Sequence, residues 1–445
     1  MLTAARPVHD DSTPPTDPAA PRRLLRRVIA AVFVAGCLHA GLYAVSFPPW
    51  AIEDEEQHVD YAWKLSFDRE MPTIEHPLDQ SIIDSVVSTD RWGNYGYAPP
   101  PGFTPETMGM EGWSYEAYHP PLPYLGLAVV AQPFGDRALV VMYALRGVTV
   151  VAAGLTGALT ALLAWTWCRD PRRRLPAAVA AGTAAALLPA MADSGGRVNG
   201  DIFAALAVVA GMLLVQRWLD RPTAGRAWAV GGLLAAAALT RETAFVLGVP
   251  VAAAGVVAAR RGTLRVGDVG RALGPPLVAV AAWLGYHWRE SGYLDPADAV
   301  RARHGSHHPY LGFADWVGDL NDRAFVPFLV HWPLPRAFTV LVAAVLVAGL
   351  ALAVRRGAVL PAVVAAGAVA LLLGLLFHEA LADSTTVTAR LLLPAYPPVI
   401  AASVVGWSGL RRAPWATLTV PAAVAMLSGV FLVGSFLPRF PPGLG

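Results

Sequence analysis

Charge is scarce in this chain. Of 445 residues only 15% are Asp, Glu, Lys or Arg, while 55% are hydrophobic and the mean hydropathy is +0.47. Soluble proteins carry about 25% charged residues, so a string of soluble domains is excluded. Lysine is almost absent: Lys64 is the only one, and the other basic residues are arginines. They cluster between apolar runs instead of forming a continuous basic stripe, so the electrostatic footprint of a nucleic-acid partner is missing. Cysteine is equally sparse. Cys37, inside the first apolar run, and Cys168, at the end of another, cannot build a disulfide framework or a multi-cysteine metal site, and both read as packing residues. No repeat of fixed period is visible, so there is no direct sign of the inverted halves common in transporters. A small-residue cleavage site is also lacking. The apolar run 28–46 ends in Ser46-Phe47-Pro48-Pro49-Trp50 and reads as an uncleaved first span, not a signal peptide.

What is present in quantity is apolar sequence long enough to cross a bilayer, which takes about 20 residues per helix. The runs 28–46, 138–167, 175–192, 201–219, 227–240, 243–259, 271–288, 337–354, 358–377, 391–410 and 414–437 make eleven candidate spans of an all-α polytopic membrane protein. The fifth is short, open to being a broken or re-entrant helix. Residues 1–21, rich in Pro, Asp, Thr and Ala, read as a disordered tail, and 22–445 as one transmembrane domain. Short-loop arginine bias sets orientation. With the N-terminus cytoplasmic, the clusters at 22–27, 169–174, 217–226, 260–271, 355–356 and 411–412 put 19 of the 34 basic residues inside. In that arrangement 26 of 32 acids fall on or near the outer side, and the C-terminus is extracytoplasmic. The expected location is an inner or plasma membrane.

Two outer segments are long: a first loop over 47–137 and a second over 289–336. Loops beyond about 12–15 residues are usually functional or disordered, and the Trp, Tyr, His and Pro content here argues for function. The proline-bounded apolar stretch 120–134 predicts an interfacial helix in the first loop. Gly147, Gly154 and Gly157 read as helix-packing positions.

The densest polar cluster follows the first span: Glu53-Asp54-Glu55-Glu56-Gln57-His58-Val59-Asp60-Tyr61. Four consecutive acids repel one another, which raises the pKa of some of them. On a helix starting near Asp54, His58 lies at i+4 and Tyr61 at i+7 on the same face. A carboxylate and an imidazole there suit general-base work or metal binding. The plainer alternative is an acidic helix N-terminus favoured by the macrodipole. His304, His307 and His308 have a spacing compatible with a metal or phosphate site, but the surrounding Gly and Pro disfavour a helix.

The pattern Pro-x-x-x-Glu-Asp-Glu-x-x-His-x-x-Tyr-Ala, Pro49 to Ala62, resembles the Asp-Glu-x-x-His opening of GT-C membrane glycosyltransferases, closest to bacterial multi-spanning members of unknown function. Further segments fit in order. Glu116-Ala117-Tyr118-His119-Pro120-Pro121-Leu122-Pro123-Tyr124 is similar to the motif closing their first outer loop. Asn199-Gly200-Asp201 is similar to their Asn-x-Asp, Leu239-Thr240-Arg241-Glu242 to their Leu-Thr-Lys/Arg, and Thr388-Ala389-Arg390-Leu391-Leu392-Leu393-Pro394 to Gly-Arg-Tyr-Leu-Leu-Pro. Ala389, Leu391 and Pro123 depart from the pattern.

The resemblance implies a GT-C-like fold and transfer of a sugar from a polyprenyl-phosphate donor to a glycan, lipid or other hydroxyl acceptor at the outer membrane face, with inversion. It assigns the general base to Asp54 and leaves Glu55 or His58 to orient it, tune its pKa or hold a metal. A divalent metal is neither required nor excluded. Arg390 and Arg241 are the candidates to meet the leaving phosphate, with Glu116, His119 and Tyr61 in the substrate-binding set. The plainer alternatives are a snorkelling Arg390, an Arg241 paired with Glu242 or another span, and an Asp201 that caps its helix. Two rival functions stay open: a transporter or flippase of lipid-linked sugars, and a non-catalytic partner that binds glycan or lipid. The Ala/Val/Arg-rich, lysine-poor usage fits a GC-rich bacterial genome.

Overall fold

The computed structural model describes residues 20–50, 54–94, 98–99, 102–104, 107–108, 112–241, 244, 248–294, 296–304, 336–357, 364, 367, 369, 389–410 and 413–432. Among these the chain is helical and no strand forms beyond an isolated bridge between Pro77 and Trp113. In chain order the helices are α1 (Ala20–Ser46), α2 (Glu55–Trp63), α3 (Gln80–Ser88), α4 (Arg91–Asn94), α5 (Leu122–Ala131), α6 (Ala138–Trp167), α7 (Arg174–Leu187), α8 (Pro189–Gly196), α9 (Asp201–Asp220) and α10 (Ala224–Ala238). They continue with α11 (Gly248–Arg260), α12 (Val266–Ser291), α13 (Pro296–His304), α14 (Arg336–Arg355), α15 (Tyr396–Ser408) and α16 (Thr419–Phe431).

Helices α1, α6 and α9 are long and apolar enough to cross a bilayer. At 1.5 Å per residue the 30 residues of α6 reach about 45 Å. The expected span 175–192 is not one straight helix. α7 and α8 meet at a 55° bend. Pro189 cannot continue the hydrogen-bond ladder and forces extended backbone on Leu188 (φ −66°, ψ 122°), so the apolar run breaks there and restarts with Pro at the first helical position. The fifth candidate span appears as α10, whose 15 residues reach only about 22 Å, less than the roughly 30 Å hydrocarbon core. Most of 358–377 lies outside the described residues. The helix expected in 120–134 forms as α5, followed by a 3-10 turn over Gln132–Phe134.

Packing between the spans relies on small side chains, as it must where lipid supplies no hydrophobic drive. Along α7 the buried face is alanine: Ala177, Ala178, Ala181, Ala184 and Ala185. α1 lies against α6 through Gly36 and Gly154, where a Cβ at Gly154 would sit 2.8 Å from the Phe33 carbonyl oxygen and closer still to Cys37 Sγ. Gly157 shares this seam through Val32, whereas Gly147 has nothing within 4 Å and takes no part in it. Both cysteines are free thiols, Cys37 at the α1–α6 contact and Cys168 buried beside Ser408. Gly154→Leu is therefore expected to separate α1 from α6 and cost about 1–3 kcal/mol, read as a lower melting temperature in detergent. Gly147→Leu, with open space around it, leaves that temperature unchanged.

A second core sits at the end of α1 and joins the first loop to α6. Trp50, Tyr61, Ile82, Tyr124, Met142 and Val198 are among its fully or almost fully buried members. The described part of the second long connection meets the same loop: α13 packs on the 3-10 turn Tyr115–Tyr118, and Arg303 Nη2 lies 2.7 Å from Glu75 Oε1. The two long connections thus share one face of the helical bundle.

Candidate active site

Every residue of α2 is buried, although five of its nine are Glu55, Glu56, Gln57, His58 and Asp60. The sequence places this acidic segment at a surface; the fold turns it inward. Buried charge is tolerated only when paired, and the helical rotation of 100° per residue sends successive acids to different partners. Both oxygens of Glu55 are engaged, with Arg146 Nε at 2.8 Å, Arg146 Nη2 at 2.6 Å and the Val198 N–H at 2.9 Å. Glu56 Oε1 lies 2.8 Å from Arg91 Nη2. Asp60 accepts from Lys64 at 2.7 Å, from the Asp79 N–H at 2.8 Å and from Ser114. Burial raises the Asp60 carboxyl, against the opposing pull of Lys64 and of these donors. The single lysine also donates to the Pro77 carbonyl and the Ser114 hydroxyl, and so ties α2 to the Pro77–Trp113 bridge and the residue after it.

Arg146 does more than balance Glu55. Its guanidinium also donates to the carbonyls of Ala44 (2.9 Å), Phe47 (3.1 Å) and Pro48 (2.9 Å). Carbonyls at the end of α1 have no intrahelical donors, and this one side chain serves them while holding the start of α2.

Asp54 occupies the residue before α2 with left-handed backbone (φ 65°, ψ 12°). Asp and Asn adopt that region more readily than other side chains, yet it costs of order 1–3 kcal/mol. The Asp54 carboxylate accepts a hydrogen bond from the Tyr115 hydroxyl. Burial, then the nearby carboxylates of Asp54 and Glu116, push the Tyr115 phenol well above its ordinary value, so it stays a donor.

Behind Asp54 lies a connected buried group. His58 Nδ1 is 2.7 Å from the Tyr124 hydroxyl and 3.6 Å from Glu116 Oε2, and Glu116 Oε2 is 2.9 Å from His119 Nε2. Tyr61 stacks on Tyr124 with ring centroids 4.0 Å apart and donates to the His119 carbonyl at 3.3 Å. Leu122 N–H donates to the Leu239 carbonyl, joining this segment to the turn that carries Arg241. Arg241 Nε lies 2.7 Å from Asp201 Oδ1. The capping role expected of Asp201 falls to Asn199, whose side-chain oxygen accepts from the Asp201 N–H at 2.9 Å.

Thus Asp54, His58, Tyr61, Glu116, His119 and Arg241 converge. Glu55 is turned into the Arg146 clasp. The side chain of Arg390 lies outside the described residues, although its 3-10 turn, Ala389–Ala395, packs beside α9 and α8. His307, His308 and Glu242 also lie outside them. Among the described residues no group of three or more His, Cys, Asp or Glu is placed to hold a metal. Sequence reasoning passed over Arg146, Arg91, Lys64, Tyr115 and Tyr124. A signal existed for Arg146, because a lone arginine inside an apolar run is a functional hypothesis by default.

Burial, the largest influence, lowers His58 to about 4 despite the carboxylates of Glu116 and Asp54 nearby, with Arg241 and His119 adding to the drop. Burial acts to raise the Glu116 carboxyl, but His119, by charge and hydrogen bond, and His58 outweigh it, leaving it below its ordinary value. His58 is then neutral at pH 7. Between about pH 6.5 and 4 the unfolded chain binds a proton at residue 58 that the folded chain does not, so stability falls as pH drops through that window, by about 3 kcal/mol in total. Melting temperature measured across this range should decline in the wild type and decline less in His58→Gln.

No protein-family model matches the chain, and no curated protein matches it in sequence. Its fold is similar to that of ArnT from Cupriavidus metallidurans, in a crystal structure bound to undecaprenyl phosphate (TM-score 0.52, 13% identity, 93% of this chain and 65% of that one). The same holds for the apo state of that protein (TM-score 0.52, 14% identity, 87% and 60%). The chain has the GT-C fold. It spans about two thirds of the length of those structures or slightly less. The GT-C expectation drawn from the motifs is met at the level of fold, and four of the five motif segments meet around one buried cluster.

Proposed function

We propose that the chain is a membrane glycosyltransferase that moves a sugar from a polyprenyl-phosphate donor to an acceptor hydroxyl at the extracytoplasmic face. The observation that carries it is the placement of Asp54: a carboxylate on strained backbone, oriented by Tyr115, beside a buried group of histidines and an arginine. The GT-C fold, shared with a protein crystallised with undecaprenyl phosphate, supports the donor class.

In the reaction Asp54 takes the proton of the acceptor hydroxyl as its oxygen bonds to the anomeric carbon. The bond from that carbon to the phosphate oxygen breaks, and its electron pair leaves on the polyprenyl phosphate. A carboxylate base contributes about 10²–10⁴-fold to such a step. Arg241, with Arg390, supplies fixed positive charge where the leaving phosphate gains negative charge. His58 is neutral, and its Nε2 has no hydrogen-bond partner among the described residues, so it acts by hydrogen bonding and not as a cation. Glu55 acts through Arg146, as a positioning residue. The N-terminus is cytoplasmic and the C-terminus extracytoplasmic in this arrangement.

The test is release of polyprenyl phosphate by the purified protein from a panel of polyprenyl-monophosphate sugars, with mixed cell-envelope acceptors. Turnover of one donor supports the reading. One feature favours a transporter of lipid-linked sugars instead: the bent pair α7–α8, whose buried Asp193 and Arg197 lie 2.6 Å apart. Donor binding without any turnover, together with movement of the lipid across liposome membranes, would select that reading.

A further inference from the structure

A cavity of about 210 Å³ opens where the end of α12 meets the first loop. Its walls come from distant parts of the chain: Thr73 and Glu75 from the stretch before α3, and Tyr286, His287, Glu290 and Ser291 from the last turns of α12. Pro72, Ile74 and Ala117 add apolar wall, and through Ala117 the cavity borders the 3-10 turn that aims Tyr115 at Asp54 and Glu116 at the histidines.

The lining has a definite chemistry. Carboxylates accept hydrogen bonds only, hydroxyls donate and accept, and an imidazole offers a ring N–H; together they match a ligand rich in hydroxyl groups. Tyr286 contributes an aromatic side chain to the lining, its ring stacked on Trp283 with centroids 5.5 Å apart, and His287 Nδ1 is held 2.9 Å from Ser291 Oγ. Glu75 is paired with Arg303 at 2.7 Å and Glu290 lies 3.8 Å from Arg289, so the site is not a trap for a free cation. Its volume is below the about 300–1,000 Å³ of pockets for drug-sized ligands, which limits it to one small ring.

We propose that this cavity is the acceptor subsite and holds one neutral pyranose unit of a saccharide acceptor, beside the turn that orients the base. The proposal rests on the glycosyltransferase reading above and names the acceptor class for it.

Two measurements test it, one of them independent of turnover. Saturation-transfer NMR of the protein in nanodiscs, with methyl β-D-glucopyranoside, galactopyranoside and mannopyranoside as probes, should show transfer to at least one pyranoside. Tyr286→Ala or Glu290→Gln should abolish it, and Tyr286→Phe, which keeps the ring, should retain it. In the transfer assay Tyr286→Ala and Glu290→Gln should raise the acceptor KM about tenfold or more, with donor KM and kcat unchanged. No saturation transfer to any pyranoside in the wild type overturns the proposal. So does transfer, or an acceptor KM, that the two variants leave unaltered at wild-type melting temperature. Pyranoside binding that the variants remove, in a protein that turns over no donor, keeps the saccharide site and sinks the glycosyltransferase reading instead.

Discussion

Arg146→Ala is expected to destabilise the protein by about 3–5 kcal/mol, the range for breaking a buried ion pair from one side. The substitution takes the two guanidinium hydrogen bonds from Glu55, which is fully buried, while that from the Val198 N–H remains. It also strips a donor group from three carbonyls at the end of α1. These losses act on one structural joint, so they are not independent. Arg146→Ala combined with Glu55→Ala should be milder than the sum of the two single changes, because the second substitution removes the charge that the first exposes. Tryptophan fluorescence during thermal unfolding in detergent reads the effect directly, since the chain carries 14 tryptophans. A wild-type melting temperature for Arg146→Ala would mean that the clasp does not hold the first loop to α6.

This joint also marks the limit of what the sequence discloses. The ends of α6 match the apolar run 138–167, and α2 starts after Asp54 as its spacing predicts. Both follow from local signals, a long apolar stretch broken only by Arg146 and an acidic first turn. The α7–α8 bend is less legible because the apolar run continues across Leu188, and the proline that breaks it is a single residue. Pairings across the fold leave no local trace at all. Glu55 and Arg146 are 91 positions apart, and Lys64 and Ser114 are 50 apart. Read locally, four successive acids repel one another. In the fold Asp54, Glu55 and Glu56 each take a separate partner: Tyr115, Arg146 and Arg91. The motif segments were legible as pieces, and their meeting depends on contacts such as Leu122 with Leu239 and Arg241 with Asp201. Arg241 sits opposite Asp201 through tertiary packing, which no spacing rule encodes.

The second large effect is expected at Asp54. Asn is isosteric and tolerates left-handed backbone nearly as well as Asp, so Asp54→Asn keeps the chain geometry at φ 65°. It can still accept from the Tyr115 hydroxyl through its amide oxygen. What it loses is basicity. Folding, melting temperature and donor binding should therefore be retained, while kcat falls by about 10²–10⁴-fold, the contribution of a positioned general base. Glu55→Gln is the contrasting variant: it weakens the clasp with Arg146 and should act first on stability.

The most direct test follows polyprenyl phosphate release by wild type and Asp54→Asn side by side, on the donor that the wild type turns over, with melting temperatures measured on the same preparations. The account predicts release by the wild type and a loss of at least about 10²-fold in Asp54→Asn at an unchanged melting temperature. Equal rates for the two proteins would contradict it, because the carboxylate on which the site is built would then take no part in the chemistry.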